Sequence, residues 1–202
     1  LRAVPKRFGF DLDNTLIDYS VAVQKYCLNE GLHECKTLDS LRSLLRRSDT
    51  TGRLWQLAQG WLYTDGLSYA RSGHGAVELC EFLRNSNFEL MIVSHKTTHT
   101  PDFCGQKPLR EIATKWINNS DLADYFLGNE QIYYEATRAL KVERIQKLKF
   151  NYFVDDLVEV FQEPGFPQDV SSFLLSGTGS ELTWVQGVPS LNAIKGLIEN
   201  EE

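Results

Sequence analysis

Four short apolar runs, RFGF at residues 7–10, ELMIVS at 89–94, YFV at 152–154 and SSFLLS at 171–176, set the strongest limit on what this chain can fold into. They are rich in β-branched and aromatic residues and lack the strict alternation of a strand with one wet face. Near-continuous apolarity is what a strand covered on both faces requires, and such strands belong to parallel sheets flanked by helices. A fifth and weaker run, YFLG near residue 125, adds a further expected strand. Between the runs lie helical patterns. GAVELCEFLRN turns Val77, Leu79, Cys80, Phe82 and Leu83 toward one side, and PLREIATKWI opens with a proline suited to a first helical turn. The expected class is therefore α/β, a Rossmann-like three-layer core around a parallel sheet.

About seventy residues separate the first run from ELMIVS, far more than a crossover helix needs, so an insertion is expected there. From about Tyr19 to Ser72 it reads as helical: SVAVQKYCLNEG, then TLDSLRSLLRR with Thr37 as candidate N-cap, then GRLWQLAQGWLY. The division implied is a core of residues 1–18 and 73–202 and a small helical unit of 19–72 above the sheet. A chain of 202 residues that is 42% hydrophobic can bury such a core. Its net charge of −6 argues against general binding to nucleic acid or a membrane surface. The basic stretch LRSLLRR, with leucines at helical spacing, reads as an amphipathic helix. Four scattered cysteines form no C-x-x-C pair and no run approaches membrane length, so reduced thiols and a cytoplasmic protein are expected. The G-x-G pieces GHG and GTG lack the helix and lysine of a nucleotide loop.

The chemistry concentrates where the strand-like runs end. Asp11 and Asp13 follow RFGF directly, and in extended chain residues two apart project to the same side while Leu12 turns back into packing. Asp155 and Asp156 end the YFV run in the same way. In open α/β sheets ligands bind at that edge. Converging carboxylates about 5 Å apart, at an effective dielectric near 20, repel by roughly 3 kcal/mol per pair, so a bound divalent cation is expected. An all-oxygen, carboxylate-rich set suits a hard ion, Mg²⁺ before Ca²⁺. An EF-hand reading of D-x-D-x-T fails, because Leu16 and Ala22 stand where that loop needs Gly and Glu. Ser94 ends a third run and can donate to a phosphoryl oxygen; Lys141, in RALKVERIQKL, can supply positive charge, with Lys147 and Lys149 as alternatives. His95 and His99 have i, i+4 spacing, but Pro101 and the threonines around them indicate a loop, which places His95 and Lys96 as anion contacts rather than metal ligands. Trp55, Trp61 and Tyr63 fit either a pocket roof or helical core.

Taken in order, DLDNT, Ser94, Lys141 and the Asp155-Asp156 pair resemble the motifs of the haloacid dehalogenase-like hydrolase superfamily, over Phe8 to Asp156, with the inserted helices in the place of that family's C1 cap. The resemblance implies a Mg²⁺-dependent phosphatase for a small phosphorylated metabolite. Asp11 would be the nucleophile that forms an aspartyl-phosphate, and Asp13 the general acid and base. Mg²⁺ would sit against the Asp11 carboxylate, the Asp13 main-chain carbonyl and Asp156, with Asp155 in support. Ser94 and Lys141 would hold phosphoryl oxygens, and Asn14 and Thr15 would order the first loop. An acid at position 13 favours phosphoryl transfer over carbon–halogen cleavage, whose leaving group needs no proton there. A phosphomutase or phosphotransferase of the same superfamily has the same signature. A receiver-type signalling domain places its acidic pair first, the reverse of the order here, and a non-catalytic phosphoryl-binding scaffold would not need every reactive group retained.

Overall fold

The computed structural model describes residues 4–126, 130–176 and 181–200. In chain order it contains β1 (Arg7–Phe10), β2 (Ile17–Asp18), α1 (Ser20–Asn29), α2 (Leu38–Ser48), α3 (Arg53–Leu62), β3 (Arg71–Ser72), α4 (Ala76–Asn85), β4 (Glu89–His95), α5 (Leu109–Asn118), β5 (Ile132–Glu135), α6 (Arg138–Leu148), β6 (Tyr152–Asp155), α7 (Val158–Phe161), β7 (Ser171–Leu175), β8 (Val185–Val188) and α8 (Leu191–Glu199). Six strands form one sheet in the order β5-β4-β1-β6-β7-β8. Every pairing in it is parallel.

Strand β1 explains the apolar runs. Phe8 and Phe10 point to one face and are fully buried, in a cluster where Phe8, Tyr152 and Phe173 stack ring on ring across three neighbouring strands. The opposite face at Gly9 is occupied by Phe150 and Phe153; a Cβ there would stand 2.5 Å from the Phe153 ring. Helices α4 and α8 pack together on the first face, and α6 lies against β4 and β5 on the second. Burying a side chain such as Phe10 contributes about 2–3 kcal/mol, and both faces collect that contribution along the central strands.

The chain runs from β1 outward to β4 and β5, then returns to the other side of β1 for β6, β7 and β8. The gap between β1 and β6 is thus the point where strand order reverses, the position at which open α/β sheets bind ligands. One residue past the paired Phe10 and Val154, the two strands deliver Asp11 and Asp155 side by side, and the Asp11 amide still donates to the Val154 carbonyl at 2.9 Å.

The inserted segment holds α1, α2 and α3, as its periodicity implies. Thr37 caps α2 as expected, in a reciprocal capping box with Ser40. Leu41 and Leu45 of that helix are buried, which accounts for the LRSLLRR pattern. The two ends of the insertion are joined by the antiparallel ribbon β2–β3, pairing Ile17 with Ser72 and Asp18 with Arg71. Gly73 closes this junction: its amide donates to the Leu16 carbonyl at 2.8 Å, and a Cβ would collide with the Thr15 carbonyl oxygen.

The expected strand at YFLG is a correction. Ala123–Tyr125 forms a 3-10 turn, and Leu127 and Gly128 lie outside the described residues, as does the GTG piece at 177–179. The fifth strand is instead Ile132–Glu135, a half-buried sheet edge. Pro108 precedes α5 at its N-cap position rather than opening its first turn.

Candidate active site

Three strand ends and one helix assemble the site. Asp11 leaves β1, Ser94 sits in the last turn of β4, Asp155 ends β6 with Asp156 following, and α6 carries Lys141 up beneath them. A carboxylate oxygen from each of Asp11, Asp155 and Asp156 lies within 4.8 Å of the others. Lys141 Nζ reaches Asp11 Oδ1 at 2.5 Å and Asp155 Oδ2 at 2.6 Å, and its side chain is 2% exposed. Lys147 pairs with Glu143 on the open surface and Lys149 ends α6 in a left-handed conformation, so neither alternative enters the site. Asp155 is spent on the scaffold: Oδ2 holds Lys141, and Oδ1 accepts the Leu157 amide at 3.0 Å.

Asp13 has a separate seat. Its Oδ1 accepts the Tyr19 hydroxyl at 2.6 Å, and its Oδ2 pairs with Lys96 Nζ at 2.8 Å. Lys96 is itself buried and lies 4.2 Å over the Tyr63 ring, which packs on Tyr19 with centroids 5.3 Å apart. The Asp13 side chain thus falls outside the three-carboxylate group. Leu12, between the two acids, is fully buried. Asn14 takes a left-handed φ of 61°, which folds the chain so that the Leu16 and Ile17 amides both donate to the Leu12 carbonyl. That tight loop is what brings two acids of one strand end to the same cleft.

Burial pushes the Asp11 carboxyl up; Lys141 opposes this, Asp155 and Asp13 add to it, and the result is about 7 against an ordinary 3.8. Burial, then repulsion from Asp11 and Asp155, pushes Asp156 well above the carboxylate range. Burial disfavours the charge of Lys141, but Asp11 and Asp155 outweigh it and hold the ammonium above its usual range. His95 points its Nε2 at the Ala136 carbonyl, 3.1 Å away, and desolvation, with Lys141 and Arg138 nearby, pushes the imidazole pKa below its ordinary value.

One lysine against three crowded carboxyls leaves an excess of negative charge, and the donor set is all oxygen, which fits a hard divalent cation held by Asp11 and Asp156. Two hydroxyls expected in this region, Ser94 Oγ and Thr15 Oγ1, are fully buried and have no hydrogen-bond partner among the described residues, a condition that costs about 1–3 kcal/mol each. Asp11, Asp13, Asn14, His95, Lys141 and Asp156 line the cleft, whereas Ser94, Thr15 and Asp155 do not. The cleft measures about 300 Å³. Its far side comes from the insertion, where Tyr63 roofs the cleft; Trp55 is core and Trp61 packs on Tyr26 and Tyr69.

Tyr19, Arg42, Gln59 and Arg138 also meet this cleft or its acids and were not singled out by the sequence. Arg42 belongs to the stretch read as an amphipathic helix; its place beside Leu41, at the border of the buried stripe, was the available signal. Tyr19 directly follows the acidic loop but carries no spacing signature.

No family model matches the chain. A Bacillus cereus protein carrying the provisional name of nucleotidase is 23% identical over 164 residues, 77% of this chain and 79% of its own length. Among solved structures, one described as a predicted phosphatase from Clostridium acetobutylicum superposes with a TM-score of 0.63 at 18% identity, covering 98% of this chain and all of that one. A hydrolase of the haloacid dehalogenase-like family from Streptococcus pneumoniae gives 0.62 at 17% identity, covering 96% and 98%. The chain has the haloacid dehalogenase-like fold. A dehalogenase shares it, with a TM-score of 0.58 at 14% identity, so the choice of chemistry rests on the side chains.

Proposed function

We propose that this protein is a Mg²⁺-dependent phosphatase of small phosphate monoesters, working through a phosphoryl group carried on Asp11. The observation that supports it most is the separate seating of two carboxyls in one cleft. Asp11 belongs to the cation-ready cluster, and Asp13 stands outside it beside Lys96 and Tyr19. Phosphoryl transfer needs both a nucleophile and an acid for the leaving alkoxide; carbon–halogen cleavage needs only the first.

An Asp11 oxygen attacks phosphorus as the bond from phosphorus to the ester oxygen breaks, and Asp13 gives that oxygen its proton. Water then attacks phosphorus, Asp13 takes the water proton, and Asp11 is released with inorganic phosphate. Bound Mg²⁺ would neutralise the carboxylate cluster and polarise the phosphoryl oxygens. Lys141, Ser94, Asn14 and Thr15 would hold the phosphoryl group and the loop around it, with His95 at the cleft wall. Both Asp13 oxygens are engaged, so acid catalysis requires one partner to let go; an arriving phosphate competes for Lys96 and supplies the reason. Residues 19–72 would act as a cap that excludes water. A cytoplasmic setting, with the four cysteines as thiols, belongs to the same reading.

The test is phosphate release from p-nitrophenyl phosphate. The wild type should turn over with Mg²⁺ and stop with a chelator, and Asp11→Asn should lose at least a thousandfold in kcat. Equal rates in the two proteins would remove Asp11 from the nucleophile's role.

A further inference from the structure

The acids and Lys141 reach the cleft from the core; the residues that line it from the insertion carry chemistry that phosphate transfer leaves unused. Arg42 of α2 reaches the cleft from the insertion with its guanidinium over the Trp55 ring, 5.2 Å from the centroid. Trp55 is 6% exposed and anchored in the core, so the guanidinium rests near a fixed aromatic ring. The one acid near Arg42 among the described residues is Asp39, at 3.5 Å, with a side chain 88% exposed. A contact that long to a solvated rim carboxylate contributes little. Beside Arg42 is Tyr63, whose hydroxyl accepts a long 3.4 Å hydrogen bond from Gln59 Nε2. Lys141 and Lys96, by contrast, are each committed to site carboxylates at 2.5–2.8 Å. The insertion therefore lines the cleft with a cation whose carboxylate partner is a single solvated one, beside a carboxamide and a phenol.

Resting on the phosphatase reading above, we propose that Arg42, with Gln59 and Tyr63, forms a subsite for a second anionic group of the substrate, which is thus a small phosphate monoester that also bears a carboxylate or a second phosphate. A guanidinium fork matches both anions with paired hydrogen bonds, which a lysine cannot reproduce. The 300 Å³ cleft stands at the lower end of ligand-pocket sizes, so the two charged groups sit on a short skeleton.

The experiment compares matched pairs on the Mg²⁺-loaded protein. 3-Phosphoglycerate and glycerol 3-phosphate differ only in a carboxylate against a hydroxymethyl group; glucose 1,6-bisphosphate and glucose 6-phosphate differ in the second phosphate. Wild type should favour the doubly anionic member of at least one pair in kcat/KM by about ten- to a hundredfold, the range of a charge-assisted hydrogen bond. The favoured pair identifies the anion. Arg42→Gln should bring that ratio close to one and Arg42→Lys should leave an intermediate value. Calorimetric binding to Asp11→Asn, alone and combined with Arg42→Gln, should show the same preference and the same loss without turnover. Melting curves establish that each variant is folded. If p-nitrophenyl phosphate is hydrolysed but both ratios are near one, or survive Arg42→Gln, the subsite is wrong and the phosphatase reading stands. If no ester is hydrolysed, both fall together.

Discussion

Asp11 carries two demands that conflict in a protein without its cation: it must be buried to exclude water, and it must be ionised to attack. Its carboxyl lies at about 7 against an ordinary 3.8, and Asp156 is raised as well. A group raised on folding binds its proton more tightly in the native state. Its stabilising effect is complete below the unfolded value near 4 and is lost as pH climbs through 7. Metal-free protein should therefore lose stability between pH 4 and 7, and Mg²⁺ should raise the melting temperature more at pH 8 than at pH 5, where protons occupy the same oxygens. Thermal melts at both pH values with and without Mg²⁺ check this; a larger shift at pH 5 would contradict it. Asp11, Asp13, Asp155 and Asp156 were legible because each pair stands at the end of an apolar run. Lys141 was legible only as one of three, since choosing among Lys141, Lys147 and Lys149 needs the rotation of α6 about its axis, which the sheet beneath it sets. Lys96 was seen as an anion contact, but its pairing with Asp13 depends on where β4 ends relative to β1, a register no local pattern records.

At the scale of elements, the central strands could be read because both of their faces are dry. The edges could not. β5 is IYYE, half-buried throughout, and β8 is VQGV with Gln186 exposed; an edge strand buries less and so needs fewer apolar residues. The ribbon β2–β3 has two residues per strand, too few for any periodicity, yet it fixes where the insertion leaves and rejoins the core. Gly73 is its tightest point, with the Thr15 carbonyl in the space a side chain would take. Gly73→Ala forces backbone from backbone and should cost about 1–3 kcal/mol in urea unfolding. Because Thr15 lies in the loop that seats Asp13, turnover should fall beyond what the lost stability explains. A variant with wild-type stability and turnover would show that the junction yields freely.

In the molecule as a whole, an acidic chain of net charge −6 gathers Lys96, Lys141, Arg42 and Arg138 around the cleft that also holds Asp11, Asp13 and Asp156; on the phosphatase proposal these cations would draw a phosphate ester there once Mg²⁺ had offset the carboxyls. Among the described residues no helix is long and apolar enough to cross a membrane. The insertion sits on the core at Gly60, where a Cβ would stand 3.2 Å from Cys104 Sγ and 3.4 Å from its Cβ, close to disulfide geometry. Oxidised Gly60→Cys should therefore lock α3 to the loop after β4. If substrate enters by lifting the cap, turnover should drop at least tenfold and recover with reductant; unchanged turnover would mean that the cleft fills with the insertion seated. The covalent step is most directly tested by acid-quenching the Mg²⁺-loaded protein within its first turnover and weighing its peptides. The peptide containing Asp11 should carry the mass of one phosphoryl group, absent from Asp11→Asn, whereas turnover with that peptide unmodified or the phosphoryl group on another residue would contradict the assignment.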